Sequence, residues 1–195
     1  MHRDKLCSPA SLLLCVLLGV LAGFGQDASP PPESGPAARL VQGALAPNFS
    51  LPTINGENVQ LSDFRGQTVL IHFWATWVGP CKIMTPWLVD LQSKYAARGF
   101  HVIAVSLDDE ATRVEIGEFA DQNHMNYPVL IGNEKVAELF GGVPAMPESV
   151  LVGPDGKIVE RIVGLKSKGE FERSIRKALK FRAADATPSA SQAQK

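Results

Sequence analysis

Apolar residues along this chain fall into two kinds of pattern, short unbroken runs and helical stripes. Thr68 to Trp74 (TVLIHFW) and Phe100 to Leu107 (FHVIAVSL) are near-continuous, β-rich runs of the kind a strand buried on both faces requires. Between them, residues 79–97 carry Trp87, Leu88 and Leu91 at helical spacing, with Pro86 inside the pattern, where it is expected to kink the helix. Val59 to Leu61 predicts a short strand and Asp63 to Gly66 a turn. A helix is predicted over 111–124, and a short one over Lys135 to Phe140 after the apolar Tyr127 to Ile131. Ser149 to Val152 and Lys157 to Val163 flank the turn Gly153–Gly156 (GPDG) as a hairpin, and Lys168 to Phe181 is an amphipathic, basic-ended helix. Strand, helix, strand, helix, hairpin and helix in this order imply an α/β sandwich, a mixed central sheet with helices on both faces.

The two ends read differently. His2, Arg3 and Lys5 precede an apolar run from Leu12 to Ala22, with small residues at Gly23 and Gly25, the composition of an export leader over residues 1–25. The run is short of the roughly 20 residues a spanning helix needs, which favours cleavage over an uncleaved anchor. Residues 26–42 (QDASPPPESGPAARLVQ) have the composition of a flexible tether, and 183–195 that of a disordered tail. One domain over 43–182 lies between them. An exported, periplasmic or extracytoplasmic location is expected, with the membrane involved only through an N-terminal anchor.

Charge and cysteine content narrow the chemistry. A formal net charge of −1 over 195 residues, with no basic stripe evident in the sequence, gives no reason to expect nucleic acid as a partner. Of three cysteines, Cys7 and Cys15 lie in the leader, so its removal leaves Cys81 alone and no intramolecular disulfide. His2, His72, His101 and His124 are scattered without ligand spacing, no glycine-rich loop cradles a phosphate, and neither metal nor cofactor is expected. Asp108–Asp109–Glu110 is expected only to cap the start of a helix.

Phe73 to Lys82 (FWATWVGPCK), at the junction of a buried strand and a helix, resembles the active-site segment of thioredoxin-like proteins, usually W-C-G-P-C. Ala46 to Gly66 resembles the N-terminal extension of the TlpA/ResA branch and the related alkyl hydroperoxide reductase/thiol-specific antioxidant superfamily. Gly142 to Val152 (GVPAMPESVLV) resembles the segment with that family's cis-proline, here Pro147. The matches fall in order over roughly residues 44–180. They imply a thioredoxin-like three-layer sandwich with an N-terminal β-extension, in a thiol–disulfide oxidoreductase.

In that family a first cysteine at a helix N-terminus attacks a substrate disulfide, and a second, one turn inward, resolves the mixed disulfide. Here Val78 stands at the first position and Cys81 at the second, so two-cysteine exchange is excluded. The resemblance makes Cys81 the more buried of the pair, an inert core thiol or the seat of one-cysteine chemistry. His72 stands where thioredoxins carry a buried acid. With an ordinary pKa of about 6.5 it is a candidate proton acceptor for Cys81, and Cys81 reactivity would then rise between pH 6 and 8. A hydrogen-bonded core histidine is the plainer reading.

The resemblance also supplies a substrate groove of Trp77, Gly79, Pro80, Met146 and Pro147, where an extended peptide would pair with the backbone of Met146. Trp74 is expected in the core and Trp77 at the surface. Glu148, where the family more often has threonine, is expected to alter groove polarity. Peroxidase chemistry is excluded: counting back from Cys81, Val78 and Trp74 stand where P-x-x-x-T-x-x-C needs threonine and proline. Two functions follow: a degenerate redox enzyme, or a non-catalytic module binding exported thiol/disulfide proteins or peptides. The protein is expected to act as a monomer.

Overall fold

The central sheet is assembled on its most apolar strand. In the computed structural model, which describes residues 41–185, β3 (Thr68–Trp74) is buried along its whole length. It pairs in parallel with β4 (Phe100–Ser106) and antiparallel with β6 (Glu148–Val152). β5 (Val129–Ile131) extends the sheet beyond β4, and β7 (Ile158–Val163) beyond β6, giving the order β5-β4-β3-β6-β7. Alternation along β3 divides two cores. Leu70 and Trp74 pack with Cys81, Met84 and Leu88 of α1 (Gly79–Tyr95) and with Phe171 and Ile175 of α4 (Lys168–Asp185). Val69, Ile71 and Phe73 pack on the other face with Val150 and Phe140.

α1 begins where the expected strand-to-helix junction lies, with Val78 as N-cap and Pro80 in the first turn, where proline's missing N–H is no loss. It runs to Tyr95 with Pro86 inside. One expectation is corrected: α2 occupies Glu115–Gln122, not 111–124. The carboxylate of Asp109 accepts from the N–H groups of Ala111 and Thr112 and from the Thr112 hydroxyl, which closes separate turns and delays the helix by a turn. α3 (Glu134–Leu139) is capped by Asn133, whose side chain accepts from Val136 N–H.

The N-terminal extension is a strap. β1 (Ser50–Pro52) and β2 (Asn58–Gln60) form a separate antiparallel pair. Before it, Leu45 bridges Lys157 beside β7, and after β1 Thr53 bridges Leu130 of β5. One stretch therefore engages both edges of the sheet, while Ala46, Phe49, Leu51 and Leu61 cover its second face. Edge N–H and C=O groups that would otherwise invite intermolecular pairing are partly occupied. Among the described residues no helix is long and apolar enough to cross a membrane. The leader, most of the tether and most of the tail lie outside the described residues.

Candidate active site

The chain leaves β3 at Trp74, in the core at 1% exposure, and turns through Ala75 and Thr76, both buried. Trp77 is thrown outward at 61% exposure. Val78 follows, half-buried, then the exposed Gly79 and Pro80, and then Cys81 at 0% exposure. Val78 N–H donates to Ala75 O at 3.2 Å, and Cys81 N–H to Val78 O at 3.0 Å, so the loop closes directly onto the helix. The half-buried position at the helix start thus carries an isopropyl group, which has no lone pair, while the Cys81 side chain is fully buried.

A buried carboxylate that the sequence reading assigned only to capping holds this loop. Asp108, 5% exposed, accepts Thr76 N–H at 3.1 Å on both oxygens, the Thr76 hydroxyl at 2.5 Å and the Ser106 hydroxyl at 2.6 Å. Of the acidic triplet none caps α2, whose N-cap is Val114 without a side-chain bond: Asp109 closes the turns before it, and Asp108 ties the end of β4 to the loop before α1. A local signal existed: Asp108 follows a buried parallel strand at its carboxyl end, where sites on α/β sheets gather.

Burial and neighbouring groups act together on the sulfur. Burial pushes the Cys81 thiol pKa up, a backbone hydrogen bond from Ala75 pulls it down, and the nearby charge of Asp108 raises it again. His72 lies on the same face of the sheet as Leu70 and Trp74. Its Nδ1 shares a hydrogen bond with Ser149 Oγ at 3.0 Å, across the His72–Ser149 register pair, and its Nε2 has no partner among the described residues. Desolvation lowers its pKa to about 3, so the ring stays neutral between pH 6 and 8. The pH window expected from an ordinary histidine is corrected accordingly: burial removes it.

The segment expected to form the other side of the groove lies before β6. The Met146–Pro147 peptide is cis, Met146 is half-buried, and both Met146 and Val78 pack on the core cluster that contains Cys81. Pro147 O accepts Gly164 N–H at 2.7 Å. Glu148 does not bear on groove polarity as expected. It is 0% exposed, and its Oε1 accepts from Arg161 Nε at 2.7 Å on the sheet face opposite Ser149. Sequence reasoning missed Arg161 because nothing local marks its partner. Among the described residues no group of three His, Cys, Asp or Glu side chains forms a metal site.

Five strands in this order, an active-site segment at the first helix start and a proline loop opposite it define a thioredoxin-fold redoxin. The chain belongs to the AhpC/TSA family, whose sequence profile matches residues 42–161. It is 34% identical over 170 residues to the thiol-disulfide oxidoreductase ResA of Bacillus cereus (strain ZK / E33L), covering 85% of this chain and 91% of that protein. Identity to ResA of Oceanobacillus iheyensis is 38% over 135 residues, 67% of this chain and 69% of the relative. Among solved structures, a protein assigned as the thiol:disulfide interchange protein DsbE of Chlorobium tepidum superposes with a TM-score of 0.67 at 38% identity. That match covers 72% of this chain and 99% of the other.

Proposed function

We propose that this protein is an exported member of the thiol–disulfide oxidoreductase class that has lost disulfide exchange and kept the substrate groove, binding extended segments of exported thiol or disulfide proteins. One observation carries the reading: Cys81 is fully buried beneath a half-buried Val78, and no second free cysteine stands among the described residues. An attack on a disulfide needs an accessible thiolate, and burial works against both access and ionisation. The exposed Trp77 and the half-buried Met146 remain as apolar contacts for a peptide. Export is supported by the leader composition.

Insulin-disulfide reduction, driven by dithiothreitol, tests this in the protein and in Val78→Cys. In the variant, the thiolate at 78 displaces one insulin sulfur as thiolate. Cys81 then displaces the second, leaving a 78–81 disulfide that dithiothreitol reduces. Activity gained only by Val78→Cys, with binding of carboxymethylated insulin B chain retained in Cys81→Ser and weakened in Trp77→Ala, is the expected result. Equal turnover by the unsubstituted protein would overturn the reading.

A further inference from the structure

Glu148 and Arg161 form a connection that the exchange chemistry does not use. Burying a carboxylate is costly unless a cation and hydrogen bonds compensate, and breaking such a pair costs more than replacing both members. Here the compensation reaches Oε1, while Oε2 is buried without a hydrogen-bond partner among the described residues, and the compensating cation is shared with a loop. Arg161 donates from Nε to Glu148 Oε1 at 2.7 Å and from Nη2 to the carbonyl of Gly142 at 2.9 Å. Glu148 directly follows Pro147, while Gly142 stands at the other end of the same segment, so the guanidinium ties both ends of residues 142–147 to β7. Gly141 and Gly142 have φ of 76° and 78°, and Gly142 N–H returns to Ala137 O at 2.9 Å. The backbone leaves α3 by a left-handed turn, and its next anchor from outside the turn is Arg161. Pro144 and Ala145 between the ties are exposed, and Met146 is half-buried on the Cys81 cluster.

We infer that Glu148 and Arg161 are positioning residues: the fork of Arg161, seated on Glu148, holds the 142–147 rim so that Met146 and its backbone face an incoming peptide. As a statement about peptide capture this rests on the groove reading above. Only a guanidinium has donors spaced to serve both acceptors at once, whereas an ammonium is a single point of charge. Arg161→Lys therefore keeps the charge opposite Glu148 and loses the second tie. Glu148→Leu combined with Arg161→Met removes both charges and preserves apolar volume, so a folded protein is retained by a second route.

The test uses the full chain, with amide hydrogen–deuterium exchange of residues 141–146 and titration with carboxymethylated insulin B chain. Both altered proteins are expected to keep a cooperative unfolding transition, to exchange faster across 141–146 and to bind the B chain about three- to tenfold more weakly, the worth of about one hydrogen bond. Glu148→Gln, whose side-chain oxygen still accepts from Arg161, is expected to restore both measurements toward the parent. Parental exchange in both altered proteins, or faster exchange with unchanged affinity, would overturn the assignment. If the parent itself does not bind the B chain, the groove reading fails, and the exchange measurement alone decides whether the clamp holds the rim.

Discussion

The backbone N–H of Thr76 points between the two carboxylate oxygens of Asp108, 3.1 Å from each, and the Thr76 hydroxyl closes on one of them. The loop that presents Trp77 and Val78 is therefore fixed from β4, 32 residues away in sequence.

Asp108→Ala should be costly. It leaves the Thr76 N–H, the Thr76 hydroxyl and the Ser106 hydroxyl buried without their acceptor, a loss of about 3 kcal/mol. Asp108→Asn, which keeps one acceptor oxygen, should cost about half as much. Urea unfolding midpoints measure both, and a parental midpoint for Asp108→Ala would contradict the role of the tie.

His72 should make the protein acid-sensitive. Its folded pKa lies at about 3 and its unfolded value at 6.5, so between them the unfolded chain binds the extra proton. The contribution is fully present above pH 6.5 and is lost as pH falls toward 3, by on the order of 4 kcal/mol at the acid end. His72→Leu should flatten the stability profile across that window relative to the parent. Parallel profiles for the two proteins would show that the ring titrates normally.

Cys81 should behave as a sheltered thiol. Its folded pKa lies above the unfolded one, so the unfolded chain releases the proton first. Its contribution to stability is complete below the ordinary thiol range and is lost as pH rises through it. Alkylation of the native protein should be slow, accelerate with denaturant, and show no break between pH 6 and 8. Asp108→Asn should raise the native rate at a given pH by removing a negative charge. Rapid native alkylation with an inflection near pH 6.5 would restore a catalytic role for His72.

Gly132 should tolerate no side chain. Its N–H donates to Ser106 O at 2.8 Å, and an added Cβ would collide with that carbonyl and approach Val105 Cγ1 to 2.8 Å. Because the obstacle is the β4 backbone just before Asp108, relief must move the tie to Thr76. Gly132→Ala should destabilise the fold by about 2 kcal/mol and shift the amide resonances of Thr76 and Trp77. An unchanged Tm would show that β5 yields freely.

What was legible from the chain alone was what local pattern encodes. The unbroken apolar run of β3, the helical stripe after it and the GPDG hairpin are short-range signals, and all appear in place. The valine at position 78 was equally plain, because the segment around it is contiguous. What required the fold were relationships between distant residues. Asp108 looked like one more acid at a helix start until the parallel pairing of β3 with β4 set Ser106 beside Trp74 and delivered the carboxylate to Thr76. Glu148 looked like a groove residue until strand alternation turned it to the opposite face and β7 brought Arg161 to it. The pKa of His72 depends on how much protein surrounds the ring, and no neighbour in sequence reports that. Local composition specifies elements, while burial and partnership of polar groups are properties of pairing and register, and those decided how this site is held and why its one described thiol is buried.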